Sequence, residues 1–204
     1  ASGGTITVTD TTKNIGGGAA EASTTAFYLS TNTTFDAGDT RFGSRSVGPL
    51  AGGTQSIGST PVVLPLVTPG TYYIITNADD GADIEETQEN NNIRFTSIQI
   101  GPDLMSSVTS PITAVAGATI TVNDTIWNYG AETAGASTTR FYLSLNTTLD
   151  AGDITLDEER SVPAIAANGL NTGATSVRLP AGLTGRYYLL VAADGFAAVP
   201  ESNE

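Results

Sequence analysis

Apolar and polar positions alternate along much of this chain with a period of two. Ile6 and Val8 alternate with Thr7 and Thr9, and Thr25, Phe27 and Leu29 alternate with Ala26, Tyr28 and Ser30. Successive side chains of an extended strand point to opposite faces, so this spacing predicts half-buried β-strands. The polar positions are rich in Thr, whose branched β-carbon suits a pleated surface. Turn-forming residues separate the runs: Asn14 to Gly18, Gly48-Pro49, Ala51 to Gly53 and Pro69-Gly70. No stretch carries an apolar stripe at helical spacing. Strands are predicted over about 4–13, 23–30, 41–48, 56–64, 71–78 and 91–100, lettered B, C, C′, E, F and G after the immunoglobulin sandwich. The link Gly101-Pro102-Asp103 follows, and a strand A opens near Leu104.

The chain then repeats itself. Phe27-Tyr28-Leu29-Ser30 recurs as Phe141-Tyr142-Leu143-Ser144, and Asn32-Thr33-Thr34-Phe35-Asp36-Ala37-Gly38-Asp39 as Asn146-Thr147-Thr148-Leu149-Asp150-Ala151-Gly152-Asp153, both 114 residues on. Arg45-Ser46-Val47 with Arg160-Ser161-Val162, and Tyr72-Tyr73 with Tyr187-Tyr188, are 115 apart. The second copy therefore carries one extra residue, near Asp157 to Glu159. A period this long is too large for a solenoid unit and right for a small domain. The expected fold is all-β, two tandem immunoglobulin-like antiparallel β-sandwiches over 1–101 and 102–204. Copy one has no match to strand A and copy two none to strand G. The chain is thus expected to be an excerpt from a longer array, or to have its gaps filled by strand exchange with neighbouring chains.

Composition narrows the partners. The 204 residues hold 21 acidic and 8 basic side chains, a formal net charge of −13. That balance disfavours nucleic acid and anionic membrane surfaces, both of which select Lys and Arg. With neither Cys nor His there is no thiol nucleophile, disulfide, imidazole metal site or Ser-His-Asp triad. Oxygen donors remain, and these suit hard cations such as calcium. No apolar run is long enough to span a membrane as a helix, so no membrane insertion is expected.

Phe27 to Ser30, Asp36 to Asp39, Leu64-Pro65, Gly70 to Tyr73, Ala78-Asp79 and Glu86 to Asn91 together resemble the bacterial cell-adhesion-related domain, CARDB. The second copy repeats this order, and Pro102-Asp103-Leu104 resembles the family's usual opening. The resemblance implies an immunoglobulin-like sandwich, found in tandem in large prokaryotic surface and secreted proteins. It implies no catalytic activity.

Of the 21 acidic residues, 16 fall in four clusters, at 36–39, 79–89, 150–159 and 194–204. In a head-to-tail array the C–C′ loop of one copy is expected to face the F–G end of the next. That would gather Asp36 and Asp39 with Asp103, Asp194, Glu201 and Glu204. Asp79, Glu86 and Glu89, and Asp150 and Asp153, would do the same against further copies. Facing carboxylates repel unless a cation lies between them, so a calcium-bridged joint is one expectation. Solvated acidic loops that keep the protein soluble are the other. Asn32, Asn123 and Asn146 open N-glycosylation sequons. Tyr72-Tyr73 and Tyr187-Tyr188 open strand F, where one of each pair is expected in the core with a corner hydrogen bond. Trp127 stands where copy one has Lys13.

The expected role is a structural, non-enzymatic one outside a prokaryotic cell: a unit of a surface stalk, fibre or filament whose partners are neighbouring copies. The alternatives are an adhesive module for a glycan or surface protein, and an accessory spacer of a secreted enzyme.

Overall fold

The computed structural model describes residues 1–203. It divides the chain into two compact units, Ala1–Ile100 and a second from Gly101 onward. Unit 1 contains β1 (Thr5–Lys13), β2 (Ser23–Ser30), β3 (Thr40–Val47), β4 (Gln55–Val63), β5 (Gly70–Asn77) and β6 (Ile93–Ile100). Unit 2 contains β7 (Leu104–Thr109), β8 (Thr119–Asn128), β9 (Ser137–Ser144), β10 (Ile154–Val162), β11 (Leu170–Arg178) and β12 (Tyr188–Ala192). Each strand of unit 1 lies within two residues of its predicted range, β7 opens at Leu104 as expected, and every pairing is antiparallel.

Each unit is a two-sheet sandwich. In unit 1 the pair β1-β4 faces the sheet β3-β2-β5-β6; in unit 2 β11-β8-β7 faces β10-β9-β12. Both units are all-β and immunoglobulin-like. Val8, Phe27, Leu29, Val62, Leu64, Ile74 and Ile100 fill the first core from both sheets. Val122, Phe141, Leu143, Leu156, Val177 and Leu179 fill the second. The inward apolar positions on β1 are Ile6 and Val8, the set that alternation predicts, and the same face continues through Asp10 and Thr12.

The extra residue of the second copy is absorbed by a bulge. Between β2 and β3 the register steps from Gly43↔Phe27 to Arg41↔Tyr28, leaving one residue over. Between β9 and β10 it steps from Glu159↔Arg140 to Thr155↔Tyr142, leaving two. A bulge accommodates added residues at the cost of local twist and leaves the flanking ladder intact.

One polar difference between the units makes a testable contrast. In unit 1 the Thr12 and Thr25 hydroxyls share a hydrogen bond of 2.7 Å. In unit 2 the counterpart of Thr12 is Ile126, and the fully buried Thr139 hydroxyl has no partner. Replacing a buried, unsatisfied hydroxyl by a methyl removes a desolvation penalty, whereas breaking a satisfied pair creates one. Thr139→Val is therefore expected to stabilise unit 2, and Thr25→Val to destabilise unit 1, each by about 1 kcal/mol in denaturant titrations.

Candidate functional site

The most strongly repeated motif is a hydrogen-bonded loop. After β2, the Asn32 N–H donates to Ser30 Oγ and the Thr34 N–H to Asn32 Oδ1. The Gly38 N–H donates to Asp36 Oδ1 at 2.7 Å, and the Asp36 N–H to Asp39 Oδ2 at 2.9 Å. Unit 2 repeats the same bonds through Ser144, Asn146, Asp150 and Asp153. Short Asn and Asp side chains replace backbone acceptors in tight turns, which is why this spacing recurs. Asp36, Asp39, Asp150 and Asp153 thus each serve their own loop. Asn32 and Asn146 are exposed in these loops, while Asn123 is exposed in the middle of β8.

The acids after strand F do similar work. Asp79 is buried and accepts the Asp83 and Ile84 N–H groups; Asp194, also buried, accepts that of Val199 at 2.6 Å. Glu89 accepts the Glu86 N–H. Burial pushes the Glu86 carboxyl above the usual range, and the charges of Glu89 and Asp79 add to this. Glu201 accepts the Leu104 N–H, while Asp103 donates its own N–H to Asn128. Glu204 lies outside the described residues. No group of three or more acidic side chains fit to hold a metal ion is gathered among the described residues.

Sequence reasoning passed over an ion pair that both copies contain. Arg45 on β3 reaches across to Asp10 on β1 and to Ser56 on β4. Arg160 on β10 does the same with Asp124 on β8 and Asn171 on β11. The guanidinium lies over a glycine. A Cβ on Gly58 would fall 2.1 Å from Arg45 Cδ, and one on Gly173 2.4 Å from Arg160 Cδ. Gly58 pairs with Asp10, and Gly173 with Asp124, in the strand register. The two sheets of each sandwich are therefore tied at one edge by a charged clasp, in a chain that has no disulfide. The repeated Asp, Arg and Gly were visible in the sequence, but only strand pairing together with the packing of the two sheets brings them together.

The tyrosine expectation holds for Tyr72, which packs on the first core and donates its hydroxyl to the Thr68 carbonyl at 2.9 Å. Its neighbour Tyr73 stacks edge-on with Phe95. Trp127 lies on the outer face of β8 in register with Met105 and Leu170, and stacks on Tyr129 with ring centroids 6.5 Å apart. Met105, Tyr129 and Leu170 are each more than half exposed. The row belongs to unit 2 alone, because unit 1 has Lys13 opposite Gln55 at the equivalent place. Unit 1 instead has an open groove of about 810 Å³ running from β1 to the loop between β5 and β6.

No helix among the described residues is long and apolar enough to cross a membrane. No curated protein matches the sequence. Among solved structures, a red sea bream transglutaminase is similar at a TM-score of 0.47 and 18% identity, over 93% of this chain and 27% of that one. The chain thus spans about a quarter of that enzyme's length. The calcium-binding domain CBD12 of CALX1.1 is similar at a TM-score of 0.35 and 13% identity, over 93% of this chain and 74% of that one. Neither likeness is close enough to bear on function. The CARDB family model matches residues 1–96 and again 101–204. Membership of a cell-adhesion-related family fits an adhesive or structural role outside the cell. With both matches lying on the two sandwiches, the chain belongs to the CARDB family and contains two tandem copies of its domain.

Proposed function

We propose that this chain is a non-catalytic structural module of an extracellular or surface protein, two sandwiches in series forming part of a stalk, fibre or filament. One observation carries the reading: what the two copies share is structural hardware. The Asn-Thr-Thr-x-Asp-Ala-Gly-Asp loop, the Asp–Arg clasp and the core phenylalanine recur at matching positions. Most of the duplicated carboxylates bind backbone N–H groups or the clasp arginines, although Asp10, Asp79 and Glu86 also line the groove of unit 1. Eight basic residues in 204 also leave few sites for trypsin-like proteases.

A second reading, a module that grips a glycan or a protein, is favoured by the Met105–Trp127–Leu170 row with Tyr129. A divalent cation enters the first reading only as a bridge between acidic tips of different copies. Negative-stain electron microscopy of the purified protein, with and without calcium, tests both. Rods or fibres of regular spacing are expected. Dispersed monomers that bind a glycan array, and lose that binding in Trp127→Ala, would replace the first reading by the second. In calorimetry, calcium heat that disappears in Asp36→Ala plus Asp39→Ala supports the bridge, and no heat removes calcium from the proposal.

A further inference from the structure

The loops after β2 and β9 both carry Asn-Thr-Thr, and the turn formed there uses only part of that motif. Asn32 Oδ1 accepts the Thr34 N–H at 2.7 Å, and Asn146 Oδ1 accepts the Thr148 N–H at 2.7 Å. Such a turn needs a short side-chain acceptor and a backbone N–H two residues on. Asp would serve in place of Asn, and most residues in place of the second Thr. Two groups are left over. One is the amide nitrogen: Asn32 Nδ2 has no partner among the described residues, and Asn146 Nδ2 reaches Asp150 Oδ2 only at 3.5 Å. The other is the hydroxyl of Thr34 and Thr148, which bonds to nothing among the described residues.

Both groups are open to solvent. Residues 31–34 and 145–148 are all exposed. Because Oδ1 is fixed toward the turn, Nδ2, on the other arm of the planar carboxamide, is left to water. An exposed Asn amide with a free hydroxyl two residues on, in a surface loop, is the acceptor arrangement for an N-linked glycan.

The third triplet, Asn123-Asp124-Thr125, is held differently. Asn123 is exposed, but it lies in β8, the central strand of its sheet, in register with Ala174 on β11 and Thr109 on β7. The Asp124 side chain is fully buried against Arg160, and Thr125 is half-buried. Residues two apart in a strand are about 6.6 Å from each other, and closing them into a turn would break the ladder on both sides. It would also pull Asp124 out of the clasp.

We infer that Asn32 and Asn146 are N-glycan attachment sites and that Asn123 is not. The inference rests on the extracellular or surface reading proposed above. The co-reactant is a sugar linked through its C1 to a lipid phosphate. Nδ2 forms a bond to C1 while the C1–O bond to the phosphate breaks. The electron pair leaves with the lipid phosphate, and the proton lost from Nδ2 passes to water. Each sandwich then carries a bulky, solubilising group on the same loop.

The test is peptide mass mapping of the chain from the surface fraction of the cells that make it. Cleavage after Lys13, Arg41, Arg94, Arg140 and Arg160 places the three triplets in separate peptides, 14–41, 95–140 and 141–160. Sugar is expected on Asn32 in the first and on Asn146 in the third, with Asn123 bare. Thr34→Ala keeps the backbone N–H of the turn and removes the hydroxyl. It is expected to lose the sugar on Asn32 and keep that on Asn146, and Thr34→Ser to restore the first. Should either variant fail to accumulate, the map of the unaltered chain still decides. A surface-located chain with Asn32 or Asn146 bare would overturn the inference and leave the extracellular reading standing. A chain confined to the cytosol would overturn both. Sugar on Asn123, or sugar retained on Asn32 in Thr34→Ala, would overturn the inference alone.

Discussion

Replacing Asp124 by Ala is expected to destabilise unit 2 by about 3–5 kcal/mol, the usual loss when one member of a buried ion pair is removed. The Asp124 side chain is fully buried and that of Arg160 is 12% exposed. Without Asp124, the guanidinium keeps Asn171 as its polar partner and has no counter-charge. It cannot easily swing out to water, since it lies flat over Gly173 between the two sheets. Denaturant unfolding followed by fluorescence measures the effect cleanly, because Trp127 is the chain's one tryptophan and sits in unit 2. The double variant Asp124→Leu with Arg160→Met is expected to recover most of the loss, since apolar replacement of a whole buried pair is often neutral. A loss below about 1 kcal/mol in the single variant would mean that water reaches the clasp and screens it.

Phe141→Ala is expected to cost about 3–5 kcal/mol through lost burial and the cavity left behind. Phe141 is 0% exposed and sits among Val122, Leu143, Leu156 and Val177, contributed by both sheets. A β-sandwich core is one layer of interdigitated side chains, so neighbours on rigid strands close the gap poorly. Phe196→Ala is the contrast. Phe196 is 57% exposed, with the Arg140 guanidinium 4.8 Å from its ring centroid, and its removal is expected to cost below about 1 kcal/mol by the same fluorescence measurement. Comparable losses in the two variants would contradict the placement of Phe141 at the centre of the fold.

Local patterns were readable where the physics was local. Alternation of Ile6 and Val8 predicted the core face of β1, because a strand's side-chain period is two whatever its partner. On β2 it placed Phe27 and Leu29 in the core but did not predict the burial of Ala26 and Ser30 on the opposite face, which neighbouring segments cover. The Asn32-to-Asp39 motif marked a loop correctly, since its hydrogen bonds close within a few residues. Its chemistry stayed open between solvated acidic loops and a calcium-bridged joint. A carboxylate two residues before a glycine looks the same in sequence whether it will take a cation or the glycine N–H. Only the folded loop shows Asp36 and Asp150 accepting that N–H.

The sequence by itself determined the β class, the duplication, the strand positions and the kinship of the two copies. These follow from short-range periodicity and from comparing the chain with itself. The tertiary structure decided what depends on distant residues meeting. Arg45 and Gly58 lie 35 and 48 residues after Asp10; strand register sets Gly58 beside Asp10, and the packing of the two sheets brings Arg45 onto both. Likewise, Asn14, Thr76 and Glu86 form one groove only once β1 and β5 pack face to face, because edge pairing is a relation between strands and leaves no mark within either one.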